Sequence, residues 1–365
     1  MKILELYAGI GGMHWAFKRS GVPGKVVAAI EINPTANEVY KHNFSSTKVI
    51  NKNIESLTVK QIEDMNIDAI FMSPPCQPFT KNGLQKDADD ARTNSFFHVL
   101  ELIPHLSNLK FILLENVEPF QSSFTRNSLI SCLQNSGFCF KECILNPQDF
   151  NVPNSRTRYF LIAKKNNLAS CFSHLEEQQL DSSMIINTLS ECSLYQQYQT
   201  RYPEFFGHRC QPLSEIIENN INENEDYIDR KLSNTVVKKH LKVYDVRTPE
   251  DRGSCCFTSA YGRYAEGTGS IFSPLSKSEV TEKLNQFKLN VNNGNQIDEY
   301  ANLPENLKLR YFTPKEVSRL MCFPENFEFP NSITQKQKYK LLGNSINVHV
   351  VSHLILMLHF VPDNN

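Results

Sequence analysis

Residues 2–13, KILELYAGIGGM, pass from a short apolar run into three glycines and then into a helical pattern. Glycine lets the backbone turn sharply and approach a bound ligand closely. Glu31 follows 20 residues after Gly11, at the end of the next apolar run, which is the spacing of a carboxylate that holds ribose hydroxyls. The G-x-G-G pattern lacks the third glycine of a dinucleotide fingerprint. It indicates a nucleoside cofactor or, alternatively, only a tight turn.

Short apolar runs alternate with helical patterns through the first 165 residues. The runs are Ile3–Tyr7, Val26–Ile30, Ala69–Met72, Phe111–Leu114 and Tyr159–Ala163. Buried strands that alternate with helices predict a mainly parallel sheet in an α/β layer fold. Ligands of such sheets bind beyond the carboxyl ends of the strands. In this chain the polar residues that could take part in catalysis or binding follow the carboxyl ends of the predicted strands.

The remaining sequence changes character twice. It becomes polar and irregular from about residue 170 and regains order at Arg310, where Thr313-Pro314 predicts a helix that runs through Leu320. We therefore expect a catalytic α/β body at 1–170, an inserted region at 171–304 and a C-terminal return to the body at 305–365.

Composition limits the class of protein. The 365 residues include 38 Lys and Arg against 39 Asp and Glu, for a formal net charge of −1. This excludes a uniformly basic nucleic-acid binder but allows a local basic groove. The ten cysteines contain no CxxC pair, so we expect no metal site and a reducing compartment, cytoplasmic or nuclear. The apolar stretch 346–361 is short and interrupted by polar residues, so no membrane contact is expected.

Residues 73–78, SPPCQP, form a stiff loop after the third apolar run. Three prolines fix the backbone around Cys76 and remove N–H donors. A cysteine held in this way at the end of a strand is a candidate nucleophile. The alternative is an ordinary buried thiol.

Two further polar groups adjoin apolar runs. Glu115 follows the fourth run, and Arg156 and Arg158 precede the fifth. Three interpretations of Glu115 are open: it caps a helix, it lies on the surface, or it is a carboxyl group with a raised pKa that gives a proton to a substrate. The arginines are solvated charges or place a guanidinium beside a substrate carbonyl.

Together these segments resemble the cytosine-5 methyltransferase family, DNA and RNA members alike. The glycine turn, Pro75-Cys76-Gln77, Glu115-Asn116-Val117 and Arg156-Thr157-Arg158 follow the order of the family motifs, and YKLLGNS at 339–345 resembles its closing motif. The resemblance implies a Rossmann-like S-adenosylmethionine-dependent methyltransferase sheet with a smaller target-recognition domain inserted.

The resemblance also assigns roles. Cys76 adds to carbon 6 of cytosine, Glu115 holds N3 and the amino group, Arg158 steadies the carbonyl, and Arg156 supports the loop. The cofactor is S-adenosyl-L-methionine, with S-adenosyl-L-homocysteine as product. The expected cofactor-binding residues are Tyr7, Ala8, Gly9, Ile10, Gly11, Gly12, Glu31, Ile32, Asn53, Ile54, Pro75, Asn344 and Ser345. Asn53 stands where many relatives have Asp, but its carbonyl can still accept the adenine amino group.

The middle region resembles one branch of this family more closely than the others. Residues 255–262, CCFTSAYG, followed by EGTGS at 266–270, look like the Cys-Phe-Thr signature of the tRNA-methylating branch. That branch modifies cytosine 38 of the anticodon loop, chiefly in tRNA-Asp, and implies a monomer that binds tRNA. Candidate phosphate contacts are Lys81, Arg92, Arg230, Lys231, Lys238, Lys239, Arg247, Arg252 and Arg263. Cys256 is a second thiol near the site, with a reactive, structural or RNA-contacting role.

Alternative functions remain open at this stage. A DNA cytosine-5 methyltransferase shares the catalytic motifs, and only the Cys-Phe-Thr region and the short stretch before the glycine turn favour RNA. A catalytically weak nucleic-acid-binding protein is a third interpretation, which an intact Cys76, Glu115 and Arg158 disfavour.

Overall fold

The computed structural model describes residues 1–75, 93–168, 185–187, 193–201, 203, 210–218, 231–292 and 306–359. Its main sheet has seven strands in the order β3-β2-β1-β4-β5-β7-β6. Neighbouring strands pair in parallel except β7, which is antiparallel to both β5 and β6. The strands are β1 Lys2–Leu6, β2 Lys25–Glu31, β3 Lys48–Asn51, β4 Ala69–Met72, β5 Phe111–Val117, β6 Phe138–Leu145 and β7 Arg158–Lys165.

The sheet confirms the predicted mainly parallel α/β fold and adds two strands that the apolar runs did not mark, β3 and β6. In β6, Lys141 and Glu142 interrupt the apolar pattern. Glu142 is nevertheless buried, because Arg126 pairs with its carboxylate and Tyr159 donates a hydrogen bond of 2.5 Å to it. A buried ion pair supplied from distant sequence is invisible to a local hydrophobicity pattern.

Most helices lie between strands in the sequence, and the last three follow the final strand and form the C-terminal part of the chain. Their bounds are α1 Gly12–Ser20, α2 Pro34–Asn43, α3 Val59–Glu63, α4 Asn94–Leu102, α5 Phe124–Asn135, α6 Ser193–Arg201, α7 Asn234–His240, α8 Lys277–Asn292, α9 Pro314–Leu320, α10 Gln335–Gly343 and α11 Val348–His359. The predicted helix after Thr313 is confirmed as α9. Thr313 and Glu316 form a reciprocal capping box at its start.

Alternating side chains of the strands feed two hydrophobic cores, one on each face of the sheet. Ile3 of β1 joins the first core with α1, α2 and α9–α11. Leu4 and Leu6 join the second with α3, α4 and α5. The first core packs α1, near the start of the chain, directly against α11. This brings the C-terminal segment to the edge of the sheet where β1 ends.

A second, three-stranded sheet has the order β10-β9-β8. Its strands are β8 Asp245–Arg247, β9 Ser270–Phe272 and β10 Arg310–Tyr311. It carries its own small core, to which Leu307 and Leu309 contribute. The third strand therefore comes from beyond residue 304, and the domain boundaries remain a prediction.

One stretch, Gln335–His359, is long and apolar enough to cross a membrane by length and composition, with a mean hydropathy of 1.5 over its most apolar window. Of that window, 94% is buried inside the protein. It comprises α10 and α11, and it serves as core packing for the main sheet.

Candidate active site

A cavity of about 380 Å³ lies beyond the carboxyl ends of β1, β2, β4 and β5, a size typical of small-molecule sites. Segments far apart in sequence form its walls. Of the expected cofactor residues, Tyr7, Ala8, Gly9, Ile10, Gly12, Glu31, Ile32, Pro75, Asn344 and Ser345 line it. Of the expected catalytic residues, Glu115, Arg156 and Arg158 line it.

The glycine turn forms one part of the cavity wall. Its backbone adopts left-handed conformations, which favour glycine. Tyr7, Gly9 and Gly11 have φ of 54°, 53° and 84°, and the Gly11 N–H donates to the Ala8 carbonyl at 3.0 Å. A Cβ on Gly11 would lie 2.6 Å from the Phe44 ring, so no side chain fits there. The segment is therefore a tight turn, and this turn also lines the cavity, so the two interpretations made from the sequence are compatible.

Glu31 is fixed by the backbone around it. Its two carboxylate oxygens accept hydrogen bonds from the Gly9 N–H at 3.0 Å and the Asn33 N–H at 2.8 Å. Asn33 also lines the cavity and caps α2 through the Thr35 N–H. Asn33 was not among the site residues predicted from the sequence, although Asn-Pro directly after a strand is a recognisable helix start. Ile32 is 64% exposed at the cavity rim.

Three of the expected cofactor residues do not line this cavity: Gly11, Asn53 and Ile54. The Asn53 side chain caps a short 3-10 turn by accepting the Glu55 N–H at 3.1 Å. Ile54 is buried in the second core. The adenine contact assigned to Asn53 stays a prediction.

Glu115 and Arg158 form another part of the cavity wall. The Arg158 Nε lies 3.3 Å from the Glu115 Oε1. Burial raises the pKa of Glu115 above its ordinary value, while Arg158, Arg156 and a hydrogen bond with Ser73 hold that rise back. A buried carboxyl group with a raised pKa beside arginines can hold or transfer a proton. Ser73 was not selected from sequence, where it reads only as the start of the proline loop.

Arg156 is buried and joins segments instead of facing solvent. Its guanidinium donates to the carbonyls of Phe257 and Gly343, both at 3.1 Å, and to that of Ser345. These contacts tie the Cys-Phe-Thr segment to the closing segment. The supporting role that the resemblance implied for Arg156 fits this position.

Cys256 adjoins both arginines. Its Sγ lies 3.4 Å from Arg156 Nη1 and 3.9 Å from Arg158 Nη2. Burial opposes ionisation, but the two guanidinium groups outweigh it and lower the pKa of Cys256. The thiol therefore lies directly behind the Glu115–Arg158 wall.

Cys76, Lys81, Arg92 and Arg230 lie outside the described residues. The chain leaves the described part at Pro75, in the cavity wall, and the neighbouring Pro74 carbonyl accepts the Asn116 amide at 3.4 Å.

The candidate phosphate-binding arginines within the described residues differ in whether they already have a partner in the protein. Arg247 pairs with Asp245 at 2.7 Å, and Arg252 donates to the Cys210 carbonyl. Arg263 is exposed. Among the described residues, no group of three or more His, Cys, Asp or Glu side chains could hold a metal ion.

Sequence and structural comparisons agree over nearly the full length. A tRNA (cytosine(38)-C(5))-methyltransferase of Spodoptera frugiperda is 44% identical, covering 98% of each chain. The enzyme of that name from Homo sapiens is 38% identical, covering 98% of this chain and 99% of the relative. A DNA (cytosine-5)-methyltransferase of Dictyostelium discoideum is 36% identical, covering 98% and 94%. A crystal structure of a Spodoptera frugiperda DNMT2 mutant superposes with a TM-score of 0.82 at 42% identity, covering 98% and 99%.

The sheet and the cavity at its carboxyl edge define an S-adenosylmethionine-dependent methyltransferase fold. Residues 1–358 match the family described as C-5 cytosine-specific DNA methylase. The chain belongs to this family, which implies methyl transfer from S-adenosylmethionine to carbon 5 of cytosine. The fold and the family resemblance read from the sequence are thereby confirmed.

Proposed function

We propose that this enzyme methylates carbon 5 of cytosine 38 in the anticodon loop of tRNA, with tRNA-Asp as its main substrate. The observation that carries the chemistry is one cavity lined both by the glycine turn and by Glu115, a buried carboxyl group 3.3 Å from the half-buried Arg158. The choice of RNA rests on the full-length similarity to relatives named for tRNA cytosine 38.

The residues present fit the methyl donor. No atom lies within 4 Å of the position that a Cβ on Gly9 would take, so the turn leaves room for a ligand against its backbone. A carboxylate can accept about four hydrogen bonds, and Glu31 accepts two of them from the Gly9 and Asn33 N–H groups. The others can accept ribose hydroxyls. Asn344 and Ser345 line the same cavity, and S-adenosylmethionine held by these residues would supply the methyl group.

The reaction uses three side chains. The Cys76 thiolate forms a bond to carbon 6 of the cytosine, which makes carbon 5 nucleophilic. Glu115 holds N3 and the amino group and shares its proton as the adduct forms. Arg158 stabilises the charge at the carbonyl oxygen. Once carbon 5 carries the methyl group, it gives up its proton to a solvent water, the electron pair of that C–H bond restores the ring double bond, and the bond from carbon 6 to sulfur breaks so that Cys76 leaves as a thiolate.

An RNA loop suits this site because the target base must leave its stack to enter the cavity. Loop bases are already partly unstacked, so extrusion costs less than from a duplex. A DNA duplex remains the second candidate substrate, since one relative at 36% identity is named as a DNA methyltransferase.

The test incubates purified protein with methyl-labelled S-adenosylmethionine and either total tRNA or cytosine-rich duplex DNA. A Cys76→Ala variant serves as control, and bisulfite sequencing places the modified base. We expect label in tRNA, at cytosine 38 of tRNA-Asp, which the Cys76→Ala variant abolishes.

Label in DNA alone would overturn the choice of substrate and leave the chemistry intact. Absence of label in both, from protein that binds the methyl donor, would favour the binding-protein alternative.

A further inference from the structure

The turn that follows the Cys-Phe-Thr segment holds a tyrosine ring in solvent. Tyr264 is 66% exposed, the most exposed large hydrophobic side chain among the described residues. Ile32, at 64%, has an evident reason for exposure because it lines the cavity rim. Tyr264 has no such role in the site described above. An exposed tyrosine presents a large flat ring with a polar tip, which suits it to contacts at an interface.

The backbone beneath this ring is fixed. The Tyr264 carbonyl accepts the Thr268 hydroxyl at 2.7 Å, and the Thr258 N–H donates to the Thr268 carbonyl at 2.9 Å. Gly269 has φ of 150°, and a Cβ there would lie 2.7 Å from the rings of Phe257 and Tyr261. The turn is closed at its base, so it presents Tyr264 on a preorganised support.

The support starts at the cavity wall. Cys256 contacts Arg156 and Arg158, and the next carbonyl, that of Phe257, accepts from Arg156. A Cβ on Gly262 would lie 3.5 Å from the ring of Tyr339 on α10, the helix that leads into the closing segment of the cavity. The turn that carries Tyr264 is therefore joined to Arg156, which lines the cavity, and packs against α10, whose last residues line it.

The Arg263 cation adjoins the ring, and two lysines are exposed on α10, the helix against which the turn packs through Gly262 and Tyr339. The Arg263 guanidinium lies 5.8 Å from the centre of the Tyr264 ring, and Lys336 and Lys340 are exposed one turn apart on α10. Glu266, on the same turn, offsets part of this charge. A planar ring with a guanidinium beside it binds an unstacked base by stacking, and nearby cations meet its phosphates.

We propose that Tyr264, together with Arg263, is a stacking site for one unstacked base of the RNA substrate, next to the base that enters the cavity. This inference rests on the proposed function, because it requires an RNA with splayed loop bases. It adds to that function a binding position outside the catalytic cavity.

The experiment measures dissociation constants for a tRNA anticodon stem-loop and for a blunt RNA duplex of equal length. The variants are Tyr264→Ala, Tyr264→Phe and, as a matched control, Phe124→Ala, which removes another ring, 62% exposed, at the start of α5. Calorimetric binding of S-adenosylmethionine reports the folding of each variant.

Loss of one stacking contact weakens binding by about 5- to 100-fold. We expect Tyr264→Ala to show this loss for the stem-loop and not for the duplex, Tyr264→Phe to bind like the wild type, and Phe124→Ala to change nothing. A stem-loop analogue with 2-aminopurine beside the target cytosine should be quenched by the wild type and not by Tyr264→Ala.

Wild-type affinity of Tyr264→Ala for the stem-loop would overturn the stacking site while leaving the proposed function intact. Equal losses for stem-loop and duplex would overturn it in favour of a general surface effect. Failure of the wild type to bind either RNA would refute the proposed function itself, and the stacking site with it.

Discussion

At the scale of single residues, Glu115 owes its chemistry to its surroundings. Burial favours its protonated form, and Arg158 at 3.3 Å favours its ionised form. The balance leaves the pKa of Glu115 above its ordinary value, so this carboxyl group holds a proton more readily than a solvated glutamate and can take part in proton transfer. A surface glutamate in the same sequence would simply be ionised.

We predict that Glu115→Gln lowers the rate of labelled methyl transfer by about 100-fold or more, the usual contribution of a general acid or base. Glutamine keeps the size of the side chain but cannot release a proton. Binding of S-adenosylmethionine, measured by calorimetry, should stay close to wild type, because Glu31 and the glycine turn are untouched. A variant with near wild-type turnover would show that Glu115 only occupies space.

Glu5 is a second buried carboxyl group, in β1 just before the glycine turn. Its Oε2 accepts the Tyr40 hydroxyl at 2.7 Å, and that hydroxyl lies 2.9 Å from His14 Nδ1. Burial raises the pKa of Glu5 from 4.5 to about 8, and the nearby Glu31 adds to the rise. Glu5 is therefore neutral in the folded protein at pH 7.

This neutrality predicts a pH-dependent stability. Between pH 4.5 and about 8 the folded chain keeps the proton on Glu5 and the unfolded chain loses it. The contribution of Glu5 is thus complete below pH 4.5 and is lost as pH rises through this window, by about 1.4 kcal/mol per pH unit. Urea unfolding at pH 5.5 and 7.5 should show a smaller pH dependence in Glu5→Gln than in wild type.

The control for this measurement is Glu282→Gln, which changes an exposed carboxylate on α8. It should leave the pH dependence unchanged. An identical pH dependence in Glu5→Gln and wild type would mean that Glu5 is ionised in the folded state.

At the scale of secondary-structure elements, Arg156 joins three segments through their backbones. It lies just before β7 and reaches Phe257 in the Cys-Phe-Thr segment, the last residue of α10, and Ser345 in the break between α10 and α11. One guanidinium with five donors suits this arrangement, and lysine cannot reproduce its fork.

We predict that Arg156→Met lowers the free energy of unfolding by about 3 kcal/mol, since it leaves several buried carbonyls without a donor. Affinity for S-adenosylmethionine should fall as well, because the carbonyl of Ser345 in the cavity wall is no longer held. Urea titration and calorimetry measure the two effects, and Arg156→Lys should recover only part of each. A loss below about 0.5 kcal/mol, the range of ordinary surface substitutions, would argue against the joining role.

Elements with a local signal were predictable from sequence. The apolar runs predicted β1, β2, β4, β5 and β7, because those strands are buried on both faces. Thr313-Pro314 predicted the start of α9 through its capping chemistry. Strand β6 was missed because its Glu142 is made compatible with burial by Arg126, 16 residues away.

The site shows the same division. The glycine turn, Glu31 and Glu115 stand at the ends of apolar runs in the sequence. Glu31, Glu115 and all of the turn except Gly11 line the cavity. The contacts of Arg156 with segments about 100 and 190 residues away have no sequence signal. Long-range packing decides them, and no residue pattern near Arg156 distinguishes a joining arginine from one that faces substrate.

At the scale of the whole molecule, a net charge of −1 gives no general attraction to RNA. Binding must then depend on where the cations lie. Lys336 and Lys340 are exposed on α10 beside the closing segment of the cavity, while Lys60 is paired with Asp64 at 2.9 Å.

We predict that tRNA binding weakens steeply with salt and that Lys336→Gln and Lys340→Gln each reduce the slope of log Kd against log salt concentration by about 0.7–0.9, the value of one phosphate contact. Filter binding between roughly 50 and 200 mM salt measures it. Lys60→Gln is the control and should leave the slope unchanged. Unchanged slopes in both α10 variants would place the RNA elsewhere on the surface.

The packing of Gly12 against Ile346 has a consequence for biosynthesis. A Cβ on Gly12 would lie 2.7 Å from the Ile346 side chain, so the first and last walls of the cavity are immediate neighbours although 334 residues of sequence separate them. A nascent chain has the glycine turn long before it has the segment that packs against this turn. A premature stop before residue 341 therefore yields a product without a complete cavity.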